Sequence, residues 1–163
     1  MATVKVIDKD RGWREFARSV LESGQLTARV GFVGEKAQET TERGLTMAEL
    51  GMIHEFGTRD GHVPERSFLR ATLDKNGRKY LDLFGKLIAL RIGRRGFSLA
   101  DTLEKVALRA ENDVFNYIVH DRIPPPNAPS TIARKGKDHP LFDTGQMARA
   151  VSHEVVEGDG DER

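Results

Sequence analysis

Between Ser98 and His120 the apolar residues Leu99, Leu103, Val106, Ala107, Ala110, Val114 and Ile118 recur with helical spacing, and the consecutive prolines Pro124, Pro125 and Pro126 follow. A stripe sustained through about five turns predicts an amphipathic α-helix with one buried face. Ser98, with Asp101 three residues on, has the pattern of a helix start. The prolines lack backbone donors, so the helix must end by Ile123. Whatever the chain folds into has to cover the apolar face of this rod.

The candidates to cover it are short. Residues 26–33 (LTARVGFV) alternate as a strand does, with Val30 and Phe32 on one side and Arg29 and Gly31 on the other. Residues 3–7 and 150–156 (AVSHEVV) read as further strands, the last one returning to the sheet. Trp13, Phe16, Ala17 and Val20 predict a short helix over 13–21, stopped by Gly24. Thr46 with Glu49 forms a capping-box pattern that opens a helix carrying Met47, Leu50 and Ile53, and Gly57 closes it. Residues 67–73 and 78–92 read as two more helices, the second showing Leu81, Phe84, Leu87, Ile88 and Ile92 on one face before the break at 91–96 (RIGRRG). Residues 34–44, 58–65 and 127–140 read as loops, and Asp143-Thr144-Gly145 as the start of a helical turn through Met147. The expected fold class is α+β: a small antiparallel sheet packed on the long helix, in a single domain over 1–156 with a disordered acidic tail at 157–163.

Composition narrows the function classes. The chain has 163 residues, 26 Lys plus Arg against 25 Asp plus Glu, and no Cys. A net charge of +1 argues against a protein that works as a whole by coating phosphate or anionic lipid, so any basic partner surface must be local. Without Cys there are no disulfides, thiolate zinc sites, iron–sulfur clusters or cysteine nucleophiles. No apolar run reaches the roughly 18–20 residues of a membrane span, and the first residues, MATVKVIDKD, lack a signal peptide's apolar stretch. The expectation is a protein used where it is made, with no membrane partner.

Tests for catalytic equipment return little. Asp143-Thr144-Gly145 matches the aspartic-protease triplet, but the residues after it are too few for a flap and a closing strand, and an Asp capping a helix N-terminus is the simpler reading. His54, His62, His120, His139 and His153 show no ligand spacing; the fourth residue after His54 is Thr58, which breaks His-Glu-x-x-His. No phosphate-cradling loop or nucleophile elbow is present. Two basic clusters remain as possible contacts to DNA or an acidic partner: Arg91, Arg94 and Arg95, and Arg134, Lys135 and Lys137. Neither is interleaved with aromatics in the manner of single-strand binders. No enzyme activity, metal or cofactor is expected.

Two islands of residues carry a resemblance. The first runs Ile53-His54-Glu55-Phe56-Gly57-Thr58, then Val63-Pro64-Glu65-Arg66-Ser67-Phe68-Leu69-Arg70. The second holds Pro126-Asn127, Ser130-Thr131-Ile132, Lys135-Gly136 and Pro140-Leu141-Phe142-Asp143-Thr144-Gly145-Gln146-Met147. In this order, with helices between, they resemble the tail-component proteins of tailed bacteriophages, the HK97 gp10-like and Mu gpG-like virion-morphogenesis group. The resemblance covers about residues 26–156; the chain departs from the pattern at Ser67, where that family often has Pro.

The resemblance implies a structural virion protein of the neck, a tail-completion or head–tail joining component in a homo-oligomeric ring, hexameric by analogy. Its partners would be further copies, the head connector or stopper, the tail terminator or tail tube, and DNA in the channel; it would reside in the virion, and in the host cytoplasm during assembly. A tail terminator is the near alternative, and a nucleic-acid-binding module the more distant one. Ring contacts would come from loops 34–44, 58–64 and 124–140, since a closed ring needs one patch to meet a different patch on the next copy. Within the islands Glu55 and Arg66 are expected to pair, Phe68 and Leu69 to anchor the first loop in the core, and Asp143 to cap the second. Phe56, Gly57, Pro64, Asn127, Thr131, Lys135, Gly136, Leu141, Thr144 and Gly145 complete the assembly motif.

Overall fold

The computed structural model describes residues 13–22, 26–91 and 97–157. The expected strand at 3–7, Gly24, Arg94, Arg95 and the tail after Glu157 lie outside the described residues. The elements follow in the order α1 (Trp13–Glu22), β1 (Leu26–Gly31), α2 (Glu35–Gln38), α3 (Met47–Phe56), α4 (Leu69–Arg91), α5 (Leu99–His120), α6 (Pro129–Lys135), α7 (Gln146–Ala150) and β2 (Ser152–Glu157). The fold is α+β: helices, two of them long, around an antiparallel pair of strands in the order β1-β2.

Helix α5 is the rod that the periodicity predicts. The Ser98 hydroxyl accepts the Asp101 N–H at 3.1 Å, satisfying one of the donors that a helix start leaves free. Thr102, Ala107, Ala110, Val114 and Ile118 are its buried residues. The sheet lies on one side of this helix and α4 on another. In the sheet Leu26 pairs with Glu157, Val30 with His153 and Gly31 with Ser152, so β2 returns to β1 as expected. The strand starts two residues later than its alternation suggests, because Ala150 closes α7 and Val151 serves as that helix's extended C-cap.

The core gathers at the C-terminal half of α5. Met47, Phe68, Val114, Ile118, Ile123, Met147, Ala148, Ala150 and Val151 form one buried cluster, with Phe32, Leu69 and Leu141 packed against it. The Phe32 and Phe68 rings meet edge to face with centroids 6.1 Å apart. The other face of Phe32 lies against α3 at Gly51, where a Cβ would sit 2.0 Å from Phe32 Cε2. Gly51 is therefore a packing glycine inside a helix: the absent side chain admits the ring. Gly51→Ala is expected to cost about 1–3 kcal/mol through overpacking, against the usual helix preference for Ala. A thermal melt checks it, with an expected fall of about 2–4 °C per kcal/mol.

The capping box at the start of α3 is present in full: the Thr46 hydroxyl accepts the Glu49 N–H at 3.1 Å and the Glu49 carboxylate accepts the Thr46 N–H at 2.9 Å. Gly57 ends that helix at φ 72°. Four expectations are corrected. Residues 67–73 and 78–92 do not form two helices; α4 runs unbroken through Asn76 and Gly77. It is held along α5 by pairs such as Lys79 with Asp113 at 3.0 Å, and tertiary support of this kind outweighs the local cost of an interior glycine, about 1 kcal/mol. Leu81, assigned to the buried face of the second helix, points to solvent. Residues 34–44 are not all loop: they hold the short α2, whose Ala37 is buried, and a bridge between Thr40 and Thr46. Residues 127–140 likewise contain α6, which opens with Pro129 at its first position and closes on Gly136 in the left-handed region at φ 69°. Among the described residues no helix is long and apolar enough to cross a membrane.

Candidate functional site

The two islands meet in space. Glu55, in the last turn of α3, is buried, and its carboxylate faces the start of α4. One oxygen accepts the N–H groups of Phe68 at 2.7 Å and Leu69 at 2.9 Å. The other accepts the Ser67 hydroxyl at 2.8 Å, the Arg70 N–H at 3.1 Å and Arg70 Nε at 2.9 Å. A helix begins with free N–H groups and a partial positive charge; here a carboxylate from another helix supplies what both require. Burial alone would push the Glu55 carboxyl up, but the bonds from Leu69, Ser67, Phe68 and Arg70 outweigh it and hold the group below its usual range. Arg70 also reaches Glu65 at 2.8 Å and lies 4.8 Å over the Phe56 ring.

The expected pairing of Glu55 with Arg66 is thus overturned: Glu55 pairs with Arg70. Arg66 sits before α4 begins, its N–H donating to the His54 carbonyl at 2.8 Å, and its guanidinium turns toward the second island. Nε donates to the Pro125 carbonyl at 2.9 Å and Nη2 to the Pro126 carbonyl at 3.0 Å. Proline contributes no N–H but keeps a carbonyl, so the proline run that follows α5 offers a row of acceptors to a planar donor fork. Between Gly57 and Pro64 the chain closes on itself, Thr58 N–H to the Val63 carbonyl and Val63 N–H to the Thr58 hydroxyl, both at 2.8 Å. A Cβ on Gly57 would lie 2.7 Å from Glu65 N, so this crossing requires glycine.

The second island is held by similar means. Asn127 N–H donates to Asp138 Oδ1 at 3.0 Å, which brings the two ends of the α6 segment together. Lys135 Nζ donates to the His139 carbonyl at 2.9 Å, and Thr131 sits half-buried on α6. Lys137 Nζ donates to the Asp143 carbonyl at 3.3 Å and lies 4.8 Å over the Phe142 ring. Leu141, at φ 63°, is a rare left-handed position for a branched apolar residue, and its side chain packs on the core. The expected cap is corrected here as well. Asp143 is exposed and contributes its carbonyl, while Thr144 Oγ1 accepts the Gln146 N–H at 3.3 Å and Gly145, at φ 79°, is the N-cap of α7.

Charge accumulates where the islands touch. Burial, and then the positive charges of Arg66 and Lys135, push the His54 imidazole down to about 4, so the ring is neutral at pH 7. Burial likewise lowers the Lys135 ammonium, with Lys137, Arg134 and Arg66 adding repulsion and Asp143 opposing it. Arg134 and Lys137 are exposed at the end of α6. The other basic cluster is not brought to this place by any described contact: Arg91 is the last residue of α4, and Arg94 and Arg95 fall outside the described residues.

Sequence reasoning missed Arg70 as the partner of Glu55. One signal was present: Ser67 has the residue type of a helix cap, yet position 70 is Arg, not the Glu or Gln of a capping box, so a carboxylate had to come from elsewhere. It also missed His153, whose two ring nitrogens both face carboxylates of α5.

Fold and junction together define an α+β protein in which a buried Glu and a buried Arg tie two distant loops to one core through main-chain atoms. Comparison with protein families, curated proteins and solved structures finds no match to the chain.

Proposed function

We propose that the chain is a structural virion protein of a tailed phage or prophage, a tail-completion or head–tail joining subunit that forms a homo-oligomeric ring in the neck. It acts by protein–protein contact and not as an enzyme. The observation that carries this is the Arg66 fork on Pro125 and Pro126: Arg66 of the first island and Pro126, which opens the second, stand about sixty positions apart and share one junction. A ring subunit needs its contact loops held in fixed register by a rigid body, and this junction holds loops 58–64 and 124–140 against the same core. Its partners are neighbouring copies, the head connector or stopper, and the tail terminator or tail tube.

Deleting the gene from its phage is expected to leave filled heads and tails that fail to join. Detached tails of uneven length would favour a tail terminator, and normal infectious particles would overturn the proposal. A second reading, contact with DNA in the channel, is favoured by the exposed Arg134 and Lys137, neither of which has a carboxylate within ion-pair distance among the described residues. It predicts DNA affinity that falls steeply with salt, weakened in the Arg134→Gln/Lys137→Gln double variant; no binding at low salt removes it.

A further inference from the structure

We propose that His153 is a pH-sensitive clasp between β2 and α5, closed when its imidazole is protonated and open when it is neutral. This does not rest on the virion reading. His153 stands on β2 opposite Val30, and its ring faces α5. Nε2 lies 3.0 Å from Glu104 Oε1, and Nδ1 bonds to Glu111 Oε2. The two glutamates stand two turns apart on one side of the helix, so the ring is held at both ends. An ionised carboxylate only accepts hydrogen bonds, and a neutral imidazole has a single N–H. Both contacts therefore exist together only for the imidazolium. When the proton leaves, one ring nitrogen presents a lone pair to a carboxylate, a repulsive contact, and that end of the clasp opens.

Among the described residues, Glu104 and Glu111 are the charged groups that bond to the ring. From β1 the facing residue is Val30, and Arg29 is paired with Glu154 at 3.7 Å. On α5, Arg109 is committed to Asp113 at 3.1 Å. Glu111 also lines an open groove of about 560 Å³ together with Lys36 of α2, Glu39 that caps that helix, and Arg149 of α7, while His153 is not part of that lining. Burial lowers the imidazole, but the bonds to Glu111 and Glu104 and their charges prevail and raise it above 6.5.

The sign follows. With the folded value above the unfolded one, stabilisation by the clasp is complete below about pH 6.5, declines by up to tenfold in equilibrium constant per pH unit above it, and is lost past the folded value. Because this ring bonds β2 to two carboxylates of α5 within their wider packing contact, the decline should appear first as local opening of the β1–β2 pair from α5.

The test uses NMR on the full chain. The His153 ring resonance is titrated, and amide protection of β2 is followed relative to that of α3 in the same samples. Expected are titration above 6.5, a fall in relative β2 protection across that same transition, and a downward shift of the titration in Glu111→Gln, which keeps the histidine. His153→Gln, whose amide donates from one end only, should show low relative protection at every pH. A ring that titrates at or below 6.5, or β2 protection that ignores the titration, overturns the clasp. If His153→Gln does not fold, the wild-type and Glu111→Gln titrations decide alone.

Discussion

Glu55→Ala is expected to lower the unfolding free energy by about 3–5 kcal/mol, close to the margin on which a domain of this size survives. The carboxylate is buried, accepts three backbone N–H groups and a hydroxyl, and pairs with Arg70 at 2.9 Å. Removing it leaves the first turn of α4 without acceptors in a place closed to water, and that desolvation is what makes the loss large. Glu65→Gln is the control. Glu65 meets the same Arg70 at 2.8 Å, but both side chains are more than half exposed, so the change should fall below about 1 kcal/mol. Denaturant unfolding of the two variants at neutral pH checks the contrast, and near-equal effects would mean that Glu55 does not carry the helix start.

The same group sets an acid limit. Its folded value lies below the ordinary 4.5, so its contribution is present above that pH and is lost as pH falls through the folded value. Glu55→Gln keeps the shape but turns an amide toward backbone donors. It should be destabilised at neutral pH and lose less than wild type between about pH 5 and pH 3, because that portion of the proton uptake is gone. The acid side thus reports on Glu55 and the alkaline side on His153.

What was legible in the chain follows from how local each device is. Helix α5 and the Thr46–Glu49 box are written in contiguous residues, whose spacing alone fixes which atoms meet. Helix α4 is different. Asn76 and Gly77 interrupt its periodicity, and only the neighbouring rod, through contacts such as Lys79 with Asp113, carries it across. Helix α6 was hidden by its polarity: PSTIARK buries no residue fully and so leaves no apolar stripe to read, although Pro129 and Gly136 mark its ends. At the junction, the residue types were readable but their pairing was not. Glu55 had two arginines within reach in sequence, Arg66 and Arg70, and opposite charge does not choose between them. Helix geometry does: Arg70 lies one residue into α4, beside the N–H groups that Glu55 already collects, while Arg66 precedes the helix and faces the proline carbonyls.

Phe68→Ala is expected to cost about 3–5 kcal/mol, and Phe56→Ala less than about 1 kcal/mol, although the two aromatics stand in the same island. Phe68 is completely buried; its ring packs on Phe32 and on the cluster formed by Met47, Ile118 and Met147, and its N–H is the shortest of the bonds to Glu55. Truncation empties a site whose walls belong to α3, α5 and α7, which cannot all close inward because each is also held elsewhere. It also loosens the residue that Glu55 uses to begin α4, so Phe68→Ala and Glu55→Ala should be less than additive in a double-mutant cycle. Phe56 is 61% exposed and contributes chiefly the face beneath Arg70, a contact of charge and ring at the surface. Its neighbour one turn back, Met52, is also 61% exposed, so this side of α3 is free of the core while the side that carries Met47, Gly51 and Glu55 is buried. Chemical denaturation midpoints of the two variants, with unchanged slopes, measure the difference. A large loss in Phe56→Ala would place the weight of the first island on its surface aromatic; the small loss expected leaves Phe56 available for contact with another chain.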